Sequence, residues 1–196
     1  MCIFSSDKVF IIPFLSKVTL FLKSISLLEI IKNCSKGWWQ SYRAVEFYVL
    51  LRLFFAVLCF VALAMFPFLI LYCPFYIVLL FLAWGLLDIF QAWLGIFILK
   101  PSSIYSPPRS LILALINYAE IVIVFAVLVF SFNDSFTPRF YSIWQSLRYS
   151  IGIATTLGSI YEPSKLVGYL LFYGEILFIL VFVLVVVNRV LSYFRQ

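Results

Sequence analysis

No histidine occurs among the 196 residues, which excludes His-based acid–base catalysis, His-ligated metal sites and Ser–His triads. Charge is also scarce. Asp, Glu, Lys and Arg make up 11% of the chain, against roughly a quarter in an ordinary soluble domain. The four cysteines, Cys2, Cys34, Cys59 and Cys73, form no C-x-x-C pair. That spacing argues against a thiol oxidoreductase or a zinc site and leaves them as free thiols packed like small apolar residues. Carboxylates are not clustered either, so the groups an enzyme would use are missing and the chain is read as a non-enzyme without cofactor or metal. The N-terminal region shows no small-residue A-x-A cleavage site, so its removal is not expected.

What is abundant is apolar and aromatic surface, with 65% of residues hydrophobic and 20% aromatic. A spanning helix needs about 20 predominantly apolar residues. Four stretches reach that length: Ala44 to Phe66, Phe75 to Leu99, Leu111 to Phe132 and Leu166 to Val190. Pro67, Cys73-Pro74, Pro101 and Pro107-Pro108 punctuate the connections between the first three. The chain is therefore a multi-pass integral membrane protein with the lipid bilayer as its main partner. Its net charge of +6 suits an anionic inner leaflet and does not imply nucleic acid.

Lys and Arg placement orients the spans. Lys8, Lys17, Lys23, Lys32, Lys36 and Arg43 precede the first span, Lys100 and Arg109 flank the second loop, and Arg189 and Arg195 close the chain. Only Arg139, Arg148 and Lys165 fall on the other side. Both termini are thus expected in the cytoplasm, in a bacterial inner membrane or a plasma membrane. In the first 43 residues, Ser16, Thr19, Lys23, Ser26 and Glu29 recur at steps of three or four within an otherwise apolar Val9 to Ile31. That polar stripe predicts an amphipathic helix lying in the headgroup plane, with a fifth span as the competing reading.

Between the last two spans, Asn133 to Pro138 reads as a turn and helix start, with Pro138 at a first helical position. A helix over Arg139 to Ala154 would run about 24 Å at 1.5 Å per residue, which suits a re-entrant helix better than a span. It is expected to end at Thr155-Thr156-Leu157-Gly158, with Pro163 ahead of the final span.

Those residues resemble the pore-loop cation channel superfamily, in particular the two-helix pore module of prokaryotic potassium channels. Trp144, Leu147, Tyr149 and Ser150 occupy family-like places, and Thr155, Thr156, Leu157 and Gly158 follow at the family's offsets from Ser150. Pro163-Ser164, Gly168 and Glu175 continue the pattern into an inner helix. The resemblance covers Leu111 to the C-terminus. It implies a homotetramer around an axis, a monovalent cation as transported partner, and a filter-like stretch from Thr155 through Ser159 and Ile160, with Trp144, Tyr149, Ser150 and Glu175 supporting the pore helix. Where the family has Tyr-Gly-Asp this chain has Ser159-Ile160-Tyr161, and a positive φ is poorly accessible to β-branched Ile160. Three outcomes stay open: weakly selective conduction, conduction with a partner subunit, or a channel fold that serves as a non-conducting scaffold.

The expected fold is all-α and polytopic: a cytoplasmic or interfacial amphipathic segment over residues 1–43, a two-helix accessory hairpin over 44–110, and a pore-like module over 111–196. The first two spans lack the arginine-every-third-residue pattern of a voltage sensor. Ionisable groups at membrane depth cost at least ~2.5 kcal/mol each and ask for partners. The candidates are Arg52, Asp88, Glu120 and Glu175, with Asn117 on the same helix face as Glu120. Arg52 either snorkels to the cytoplasmic surface or pairs with Asp88 or Glu120. Asp134 and Glu162 read as solvated loop charges, and Arg148 reaches headgroups or pairs with Glu162.

Overall fold

Backbone N–H and C=O groups in hydrocarbon must be satisfied within the segment, so long apolar runs form helices. The computed structural model describes residues 42–71, 73–98 and 107–193; the expected interfacial helix lies outside them. Helix α1 runs over Tyr42–Met65 and is followed by a 3-10 turn over Pro67–Leu71. Helix α2 covers Cys73–Ile98 and α3 covers Pro107–Ser131. A second 3-10 turn, Asn133–Ser135, leads into the two-residue strand β1, Phe136–Thr137. The short helix α4, Ile143–Ala154, is followed by strand β2, Glu162–Pro163, and by α5, Leu166–Tyr193. Four of these helices, all but α4, are long and apolar enough to cross a membrane. Pro74, Pro107 and Pro108 sit in first helical turns, where a backbone N–H has no intrahelical partner to lose.

Side-chain pairs set the directions. Glu46 pairs with Arg109 and Arg52 with Glu120, so α1 and α3 run parallel. Tyr48 meets Asp88 while Phe55 meets Phe81, so α2 runs against α1. Phe90 and Trp93 contact Phe178 and Phe182 in that order, which makes α5 parallel to α2. Among the described helices, α3 is in contact with each of the others. Ile121 and the run Val124 to Phe130 are all buried, so the second half of α3 has no lipid-facing side.

Helix α4 departs from expectation at its start. It begins at Ile143 with Ser142 as N-cap, not at Arg139, and spans 12 residues. At 1.5 Å per residue that is about 18 Å. The cause is Asn133, whose side-chain amide donates to the Phe140 carbonyl at 2.8 Å and accepts from the Phe140 N–H at 2.6 Å. Both backbone groups of Phe140 are thereby committed outside any helix. Gln145 Oε1 accepts from the Tyr141 N–H at 2.7 Å and closes the entry turn.

The chain around α4 is closed by β1 and β2, which pair antiparallel with Phe136 opposite Pro163. The Ser135 carbonyl accepts from the Ser164 N–H at 2.8 Å, and Gly168 packs so closely on that carbonyl that a Cβ would collide with it. Phe136, Phe140, Tyr149 and Tyr161 form an aromatic cluster beneath the strands.

Candidate functional site

Helix α4 runs alongside α3 in antiparallel register. Ser150 Oγ lies 2.9 Å from the Val122 carbonyl, and Tyr118 Oη donates to the Ala154 carbonyl at 2.8 Å. Tyr118 stands thirteen residues before Ser131, so the C-terminus of α4 lies about 20 Å from that end of α3. Since α5 also runs antiparallel to α3, with Phe125 on Phe178 and Tyr118 on Phe182, the chain must return between α4 and α5. The segment that makes this return is Thr155 to Tyr161.

Its geometry begins with a helix cap. The Thr156 N–H bonds the Ile153 carbonyl at 3.1 Å and the Leu157 N–H bonds the Gly152 carbonyl at 2.9 Å. With Thr155 as C-cap, those are the two hydrogen bonds of a Schellman motif. The motif needs a left-handed residue after the cap, and Thr156 supplies it at φ 60°. Glycine is the usual occupant, and a β-branched residue there carries roughly 1–2 kcal/mol of strain. Gly158 is also left-handed, at φ 78°, and its carbonyl lies directly on Gly152, where a Cβ would collide with it. Ile160 is not among the positive-φ residues, so the conflict expected there is avoided by turning earlier.

The polar groups of the loop are partly committed. Thr155 Oγ1 donates back to the Ile151 carbonyl at 2.7 Å, and Ser159 Oγ accepts from the Tyr161 N–H at 3.1 Å. Thr155 through Ile160 are exposed on the single chain, and Leu157 is 83% exposed.

Behind the loop, Ser146, Tyr149 and Ser150 form the buried face of α4. Ser150 Oγ also makes a very close contact with Glu175 Oε1 of α5, and Glu175 is wholly buried. Glu175 Oε2 and Tyr149 Oη are buried without partners among the described residues. Burial pushes the Tyr149 phenol above its ordinary value. Trp144 is 59% exposed and meets the ring of Phe60 on α1 edge-on. Arg148 is exposed and makes no ion pair with Glu162 among the described residues, while Asp134 pairs with exposed Arg139 at 3.0 Å.

A second constellation lies among α1, α2 and α3. Arg52 Nη2 binds Glu120 Oε2 at 2.9 Å and Asn117 Oδ1 at 3.4 Å, so the pairing alternative holds and the snorkelling one does not. Asp88 accepts from Tyr48 Oη at 2.6 Å, and the Arg52 guanidinium lies 5.1 Å from the centre of the Tyr48 ring. Tyr48 escaped the sequence reading because a tyrosine near a span end resembles an interfacial aromatic. Tyr48, Arg52, Asp88 and Glu120 line a cavity of about 10 Å³, the room of one water-sized sphere, and Gly85 opens onto it. The expected site residues thus fall in two separate groups. Searches against family models, curated proteins and solved structures find no match to this chain.

Proposed function

We propose that the chain is one subunit of a passive cation pathway, in which α4 re-enters the bilayer and the Thr155–Ile160 loop faces the axis of a homotetramer. The observation that supports this reading is an exposed irregular loop set about 20 Å along the bundle from the Ser131 end of α3. Lipid does not tolerate irregular backbone unless protein or water covers it, and on the single chain Thr155 to Ile160 are uncovered. Neighbouring copies around an aqueous axis supply both. The Schellman bonds turn the loop N–H groups back into α4, which leaves carbonyl oxygens as the groups available to a partly dehydrated monovalent cation. The negative end of the α4 dipole adds to the attraction. The Glu46–Arg109 end of the bundle faces the cytoplasm, in keeping with the basic residues gathered there.

Two measurements test it. Leu157→Cys, in a background without native cysteines, should cross-link into disulfide-bonded dimers, one bond using up two cysteines, within a particle that has the mass of a tetramer. Purified tetramer in planar bilayers should pass cations. A tetrameric preparation silent toward several cations would overturn conduction, and a monomeric one would remove the axis. One observation favours a second reading, a non-conducting scaffold: the Schellman cap already accounts structurally for Thr156, Leu157 and Gly158. Silent tetramers, or co-purification with a dissimilar channel subunit, would select it.

A further inference from the structure

The Ser150 hydroxyl has one proton and two oxygens within reach. The Val122 carbonyl lies 2.9 Å away and can only accept; Glu175 Oε1 is closer still. Both contacts are attractive only if the second proton comes from the carboxyl group. The remaining surroundings point the same way. Glu175 is wholly buried, no ion pair reaches it among the described residues, and its Oε2 has no donor. An ionised carboxylate so placed carries a desolvation penalty that nothing nearby offsets.

We propose that Glu175 is a proton-binding site, a neutral acid that donates to Ser150 Oγ while Ser150 donates to the Val122 carbonyl, tying α5 through α4 to α3. The groups facing it are phenols, Tyr118 from α3 and Tyr149 from α4. Tyr118 is committed to the Ala154 carbonyl, and the aromatic rings of Phe125 and Phe90 close the α3 and α2 sides around Gly174 and Phe178. Arg52, the buried cation of the bundle, is spoken for by Glu120. Removing the proton leaves two acceptors competing for one hydroxyl, two residues from the Gly152 carbonyl that seats the loop. The proton therefore acts as a latch between α4 and α5. The site stands without the channel reading, and only its effect on conduction rests on it.

Infrared spectroscopy of the full chain in lipid nanodiscs tests this. At neutral pH the wild type should show the C=O stretch of a protonated carboxylic acid that shifts on ¹³C labelling of glutamate and vanishes in Glu175→Gln. Ser150→Ala, which removes the acceptor, should move that band to higher frequency. Raising the pH should bleach it and lower thermal stability in the wild type but not in Glu175→Gln, since an acid folded neutral binds a proton that the unfolded chain releases. No labelled acid band in the wild type, or a band indifferent to Ser150→Ala, would overturn the proposal. If Glu175→Gln fails to fold, the labelled wild type and Ser150→Ala decide alone. A band present in protein that passes no current leaves the proton site intact and removes only the channel.

Discussion

Deleting one partner of the Arg52–Glu120 pair should destabilise the bundle far more than deleting both. Arg52 is 8% exposed and Glu120 3%, with 2.9 Å between Nη2 and Oε2, so neither charge faces bulk water. Breaking such a pair costs about 3–5 kcal/mol, whereas replacing both partners with apolar residues is often neutral. The single losses should also be unequal. Glu120→Leu strands a guanidinium that cannot deprotonate, and its Nε already has no partner among the described residues. Arg52→Met strands a carboxyl, which can take up a proton instead. We expect Glu120→Leu at the upper end of that range, Arg52→Met at the lower end, and the double variant within about 2 kcal/mol of wild type. At roughly 1.4 kcal/mol per decade, the larger loss shifts the folding equilibrium by more than three powers of ten. Equilibrium unfolding in detergent, run as a double-mutant cycle, gives the coupling directly. A coupling under about 1 kcal/mol, the range of exposed pairs, would mean that the guanidinium reaches bulk water or headgroups and that the buried cluster is wrong.

Three further outcomes follow from single positions. Thr156→Gly should raise stability by about 1 kcal/mol by relieving the left-handed strain, read as a shift in unfolding midpoint. Gly168→Ala sets a Cβ against the Ser135 carbonyl and should cost about 1–3 kcal/mol, with proteolysis increasing between Ser131 and Leu166. Asn133→Ala removes both hydrogen bonds to Phe140 and should cost about 1–3 kcal/mol while leaving the α1–α3 pairing unchanged, since buried backbone groups of Phe140 lose these partners.

The spans and the Arg52 cluster were legible for the same reason: charges are so few that each one at depth carries information. Asn117 and Glu120, three residues apart on one helix, had to share a face, and the structure turns that face to Arg52. Asp88 was equally visible, but its partner Tyr48 was hidden among 12 tyrosines, most of them plausible at an interface. The start of α4 was misplaced because Pro138 matches a helix-start pattern. A local rule cannot see Asn133, seven residues upstream of Phe140, acting as a surrogate strand. Trp144 meets Phe60 of α1, a contact between distant helices that spacing along the chain does not show. Tertiary bonds decided each case that spacing got wrong.

The Thr-Thr-Leu-Gly run has two explanations that use different atoms, and they can therefore both be true. The cap uses N–H groups, those of Thr156, Leu157 and Gly158, all directed at carbonyls of α4. A cation would use the C=O groups of Thr156 and Leu157, which the cap leaves alone, whereas the Gly158 carbonyl is packed against Gly152. The choice of residue at the left-handed position separates the two. A cap alone is better served by glycine, which adopts φ 60° without strain; a threonine kept there places a hydroxyl and a stiffer backbone beside the loop carbonyls at a cost in stability. If the loop is only a cap, Thr156→Gly stabilises the chain and changes nothing else. If the carbonyls line an axis, the same substitution stabilises the subunit yet loosens the row of oxygens, and cation selectivity falls while unfolding moves to higher denaturant. Stability and selectivity moving in opposite directions is an outcome that capping by itself does not produce.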